Sequence, residues 1–133
     1  CWSVTSWKRL REDALSAERW NRLHPGGERQ TSFVSRSLAE AKGPVIAVTD
    51  YLKAVPDQIG RFVAAAFVPL GTDGFGRSDT RAALRRHFEV DAPHIVVAVL
   101  SCLAEAGEAK EDEVSAAIEQ LGIDTEAADP RAV

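Results

Sequence analysis

Leu70-Gly71-Thr72-Asp73-Gly74-Phe75-Gly76-Arg77-Ser78-Asp79-Thr80-Arg81 is the stretch that decides the fold class. A short apolar run, Phe67-Val68-Pro69-Leu70, leads into three closely spaced glycines and then into Ser78 and Asp79, both good helix N-caps. Strand, glycine-rich turn and helix start, in that order, make a β/α connection of a parallel sheet. Gly71, Gly74 and Gly76 are expected to fix the shape of the turn through positive φ or close backbone approach. At Gly76 a positive φ would make a β-branched replacement costly.

Outward from this turn the chain alternates strand-like and helical patterns. Trp2 to Ser6 alternates bulky with small polar residues and predicts a short strand. Lys8 to Leu23 predicts a helix, ended by His24-Pro25-Gly26-Gly27. Ser32 is expected to cap a helix carrying Val34, Leu38 and Ala41, stopped by Gly43-Pro44. Val45 to Thr49 is a continuous apolar and β-branched run, the pattern of a covered strand. Asp50 is expected to cap a helix that Pro56 kinks or divides. Thr80 to Phe88 predicts a short helix, Asp91 caps an apolar one ending near Gly107, and Glu111 to Leu121 predicts the last, closed by Gly122. Three strands and five or six helices give an α/β domain in three layers, with a short, mostly parallel sheet flanked by helices.

Length and composition bound what such a domain can be. A chain of 133 residues is one domain by size. It begins on Cys1 and contains no methionine, so it reads as a fragment of a longer polypeptide. Cys1 and Cys102 form neither a disulfide framework nor a metal-ligand spacing, and Cys102 is expected as a buried reduced thiol, which suits a reducing cytosol. No uninterrupted apolar run approaches the roughly 20 residues that span a bilayer, so no membrane partner is expected. The net charge is −4, and nine acidic residues against Lys110 and Arg131 put the excess beyond Leu103. With no cluster of Lys and Arg on one surface, nucleic-acid binding is not expected.

The titratable residues offer little chemistry. His24 precedes Pro25 at a helix end, His87 follows Arg85 and Arg86, and His94 opens the apolar helix, where it is expected to face an interface or solvent. No Ser/His/Asp or Cys/His arrangement follows from these spacings. The turn could cradle an anion on its backbone N–H groups. Its spacing, Gly71-x-x-Gly74-x-Gly76, is neither a dinucleotide fingerprint nor a phosphate loop, and the lysine of the latter is missing. A structural or interface role is therefore expected for Gly71, Asp73, Gly74, Phe75, Gly76, Arg77 and Ser78.

The turn does not stand alone. Trp2-Ser3-Val4-Thr5-Ser6-Trp7, Glu18-Arg19-Trp20-Asn21, Leu23-His24-Pro25, Val48-Thr49-Asp50-Tyr51-Leu52-Lys53, Arg85-Arg86-His87-Phe88-Glu89-Val90-Asp91 and Asp129-Pro130-Arg131 occur in order along the whole chain. Together with the turn they resemble the C-terminal, transketolase-like domain of the homodimeric, thiamine-diphosphate-dependent first component of the bacterial pyruvate dehydrogenase complex. The resemblance implies that residues 1–133 are a C-terminal domain whose thiamine-diphosphate-binding domains lie upstream. The parent enzyme would decarboxylate pyruvate on thiamine diphosphate and Mg²⁺ and acetylate the lipoyl group of the acyltransferase, in a bacterial cytoplasm. Its partners would be a second subunit and the dihydrolipoyl acyltransferase core with its lipoyl domain.

The same resemblance implies that this piece carries no catalytic, cofactor or metal residue. The family's Gly-Asp-Gly and Asn-Asn ligands are absent, and the one asparagine is Asn21. The work of these residues would be structural, between domains and between subunits. The alternative reading is a free-standing α/β interaction or anion-binding module without catalysis.

Overall fold

Val45–Val48 and Phe67–Leu70, strands β1 and β2, run parallel with Val45 opposite Phe67 and Val48 opposite Leu70. The computed structural model describes residues 1–132. Helices α1 (Trp7–Leu23) and α2 (Phe33–Ser37) precede β1. The crossover to β2 holds α3 (Ala54–Asp57) and a 3-10 turn, Gly60–Phe62. Helices α4 (Arg81–His87), α5 (Ala92–Glu105) and α6 (Glu111–Gln120) follow. The result is the expected α/β arrangement, rich in helix, around a short open sheet.

The helix starts are fixed by side chains that accept orphan N–H groups. Ser6 Oγ accepts from Arg9 at 3.3 Å, Ser32 Oγ from Ser35 at 3.2 Å and Asp91 Oδ1 from His94 at 3.2 Å. Helix α4 is capped by Thr80, whose Oγ1 accepts from the Ala83 N–H, rather than by Ser78 or Asp79. Asp79 instead accepts from the Thr80 N–H at 2.7 Å.

Three expected elements change. Helix α2 ends at Ser37 with Leu38 as its C-cap, short of Ala41 and of the stop expected at Gly43-Pro44. Trp2 to Ser6 forms no strand, and among the described residues the sheet has two strands, not three. A strand exists only where its backbone groups find a ladder partner; β1 and β2 pair with each other, and Ser6, although extended, caps α1. The helix expected from Asp50 starts later, at Ala54, because residues 50–53 are engaged by the glycine-rich turn. Pro56 lies in the short α3 and separates it from the 3-10 turn, so the proline divides the pattern.

Small and β-branched side chains close the core. Ala14 and Ala17 of α1, Val34 of α2, Ala47 of β1, Ile59, Phe88 and Val90 are buried with Pro56 and Ser32. Helix α5 packs on α6 and β1, yet none of its residues is fully buried. By length and composition alone, Arg81–Glu105 taken as one run could cross a membrane. The backbone divides it, because Glu89 adopts φ 58 between α4 and α5. The 14 residues of α5 extend about 21 Å, short of the roughly 30 Å of a bilayer core.

Candidate interface loop

The strands are parallel, so the segments leaving their C-terminal ends lie side by side. There the glycine-rich turn is stitched to residues 50–53. Thr72 N–H donates to the Tyr51 carbonyl at 2.9 Å, and Thr72 Oγ1 donates to the Asp50 carbonyl at 2.8 Å. Asp73 Oδ1 accepts from the Lys53 N–H at 2.7 Å. Gly71 is required by proximity rather than by φ: a Cβ there would lie 2.5 Å from the Tyr51 carbonyl oxygen and 2.8 Å from the Lys53 nitrogen.

Gly74 is required twice over. It adopts φ 114, and a Cβ would run into the Pro130 carbonyl. The Asp129-Pro130-Arg131 segment therefore lies across the turn. Arg131 forks onto Asp129, with Nε 3.0 Å from Oδ1 and Nη2 2.5 Å from Oδ2. These hydrogen bonds hold the Asp129 carboxyl far below its usual range, helped by the Lys53 charge. Arg131 is held above its usual value by Asp129 first, with Asp73 and Glu89 adding to it. Replacing Gly74 with alanine is expected to cost about 1–3 kcal/mol in backbone strain and to raise proteolytic cleavage within residues 129–132. Unchanged cleavage would mean that the segment does not depend on this contact.

The rest of the turn behaves differently. Gly76 has neither positive φ nor any atom within 4 Å of a built Cβ, so it does not fix the shape of the turn as expected. Of the three glycines expected to do so, Gly71 and Gly74 meet close backbone and only Gly76 does not. Arg77 Nη1 lies 3.4 Å from His87 Nδ1, and Ser78 is exposed. Phe75 is 82% exposed, and Tyr51 and Leu52 on the neighbouring segment are 65% and 53% exposed. Three large apolar side chains thus stand exposed on the turn and on the segment hydrogen-bonded to its start. Thr72, Lys53 and Pro130 stood in quoted runs of the sequence but were given no role in holding the turn; the Asp-Pro pair at 129–130, a turn starter, was the available signal for the last.

The histidines are occupied locally. His24 stacks on Trp20 with ring centroids 3.7 Å apart, and its Nδ1 lies 2.9 Å from the Trp20 carbonyl. Of the two surroundings expected for His94, an interface or solvent, open solvent does not hold: the ring is half-buried with Nδ1 2.5 Å from Asp91 Oδ1. Arg86 Nη1 approaches Asp91 Oδ2 at 3.3 Å and its Nη2 donates to the Gly122 carbonyl. Burial acts to raise the Asp91 carboxyl, but the hydrogen bonds from His94 and Arg86 outweigh it and hold the group below its ordinary value. Cys102 is half-buried rather than buried, and burial together with Glu105 pushes its thiol up.

These residues do not fit a magnesium–diphosphate group. Asn21 has both amide atoms engaged by the Gln30 backbone. Asp73 and Asp91 are engaged by Lys53, Arg86 and His94. Among the described residues no three His, Cys, Asp or Glu side chains converge as metal ligands.

The sequence matches the family of transketolase-like TK C-terminal domains over residues 1–91, ending at the cap of α5. The chain belongs to that family. Over 130 residues it is 48% identical to the pyruvate dehydrogenase E1 component of Pseudomonas aeruginosa, covering 97% of this chain and 15% of that protein. The E1 component of Mycobacterium tuberculosis is 48% identical over 129 residues, 97% of this chain and 14% of that protein. That of Escherichia coli K12 is 44% identical over 131 residues, 98% of this chain and 14% of that protein. The chain thus spans about one seventh of the length of these relatives.

Proposed function

We propose that the chain is the C-terminal domain of a pyruvate dehydrogenase E1 component. The observation that carries this is identity of 44–48% to such proteins over 97–98% of the chain. Decarboxylation of pyruvate on thiamine diphosphate and Mg²⁺, and acetylation of a lipoyl group, belong to parts of the enzyme outside these residues. A bacterial cytoplasm is the setting. Assay of the complete chain for thiamine-diphosphate-dependent acetylation of a lipoyl domain by pyruvate tests the assignment; an inactive, correctly folded chain would overturn it.

The role of these residues within the enzyme is assembly between domains and subunits. Two features support this. Helix α5 carries Ile95, Val96, Val97, Val99, Leu100 and Leu103, yet leaves all of them at least partly exposed. A helix apolar on several sides needs cover on several sides. The second feature is the exposure of Tyr51, Leu52 and Phe75, because large apolar and aromatic side chains left open to water suit the centre of a contact. Phe75→Asp in the complete chain is expected to weaken dimerisation about tenfold or more, read by sedimentation across a dilution series. Unchanged self-association would remove the turn from the subunit interface.

A further inference from the structure

A cleft of about 680 Å³ opens beside α1, built from elements other than the glycine-rich turn, and is lined by Leu15, Glu18, Asn21, Arg22, Arg29 and Arg61. Three arginines face one acid there, in a chain whose net charge is −4. We propose that this cleft binds a small polyanion whose carboxylate or phosphate oxygens are held by Arg22, Arg29 and Arg61.

The arginines are placed by structure. Glu18 Oε2 holds Arg61 Nη2 at 2.7 Å, and the guanidinium lies 4.4 Å from the centre of the Phe62 ring. Arg22 projects from the last turn of α1. Arg29 lies on the segment after α1, and that segment is tied down at both ends. Asn21 Nδ2 donates to the Gln30 carbonyl and Asn21 Oδ1 accepts from the Gln30 N–H, both at 2.8 Å. This paired amide clamp imitates a strand pair and fixes the residue next to Arg29. At the other end His24 stacks on Trp20 and its carbonyl accepts from the Gly27 N–H at 3.0 Å.

Arg22 and Arg29 make no ion pair or side-chain hydrogen bond among the described residues, so two guanidinium groups face the cleft without an anionic partner. Planar guanidinium forks match pairs of carboxylate or phosphate oxygens. Several of them around one opening suit a ligand with two or three anionic groups rather than a single ion. Leu15 is the sole apolar side chain in the lining, which favours a polar ligand. The cleft is open to solvent, so binding weakens as salt rises. Asn21 acts as a positioning residue.

Phenylglyoxal labelling of the complete chain, read arginine by arginine by peptide mass spectrometry, tests the site directly. The probes are citrate and inorganic pyrophosphate, against sodium chloride at equal ionic strength. One probe at about 1 mM is expected to slow labelling of Arg22 and Arg29 roughly five-fold, while the exposed Arg9, Arg11 and Arg81 keep their rates. Which probe protects distinguishes carboxylate from phosphate recognition. In Asn21→Ala the protection at Arg29 is expected to fall; full protection there would remove the positioning role. Rates unaffected by either probe, or slowed equally by sodium chloride, would overturn the proposal. The readout is local to these arginines, so its failure is separate from any failure of the enzymatic assignment.

Discussion

Gly71→Ala is expected to lower the unfolding free energy by about 1–3 kcal/mol, the cost of forcing a methyl into a closed space. The added Cβ would meet backbone, not movable side chains: the Tyr51 carbonyl at 2.5 Å and the Lys53 nitrogen at 2.8 Å. Relief requires the turn to draw away from residues 50–53. That movement would loosen the Thr72–Tyr51, Thr72–Asp50 and Asp73–Lys53 hydrogen bonds together. Their loss adds to the steric cost, since each is worth about 0.5–1.5 kcal/mol net. Gly76→Val is the matched control, with open space and no positive φ, and should stay within about 0.5 kcal/mol of the parent. Chemical denaturation of both variants decides the matter. Equal stability of Gly71→Ala and Gly76→Val would mean that the turn is not held by close approach.

The contrast between Gly71 and Gly76, read alike from the sequence, shows where sequence reasoning reaches its limit. Three glycines in a β/α turn announce a shaped turn, and β2 and α4 flank it as the local pattern requires. Which glycine is indispensable depends on what packs against it. For Gly71 that is a segment some 20 positions earlier, and for Gly74 it is Pro130, far along the chain. Neither contact leaves a trace in local spacing. Helices α1, α5 and α6 were legible because their periodicity and caps lie within each element. The Trp2–Ser6 segment was misread for the opposite reason, since alternation describes a strand's faces but cannot supply the neighbour it must pair with. The arginine cleft was illegible as well: Arg61 reaches Glu18 across 43 positions, and Asn21 clamps Gln30 across nine.

Asp91→Ala is expected to cost about 2–3 kcal/mol, more than the loss of an ordinary helix cap. Asp91 joins three elements: it caps α5 through the His94 N–H, pairs with the His94 ring and holds Arg86, which in turn donates to the Gly122 carbonyl after α6. Its side chain is only 19% exposed, so the pairing is partly shielded from water. Asp91→Asn keeps a cap acceptor and removes the charge, and should cost less than Asp91→Ala. The sign of the pH dependence follows from the carboxyl being held below its ordinary value of 3.8. A depressed folded-state pKa stabilises the fold at pH above the unfolded value and loses that contribution as pH falls through the folded value. The stability gap between the parent and Asp91→Asn should therefore be full near neutrality and shrink as the pH drops below about 4. Denaturant midpoints of the parent and both variants, compared between neutral and acid pH, measure it. A gap that stayed constant into acid would show that the Asp91 charge adds nothing, leaving α4, α5 and α6 joined through apolar packing and the neutral cap alone.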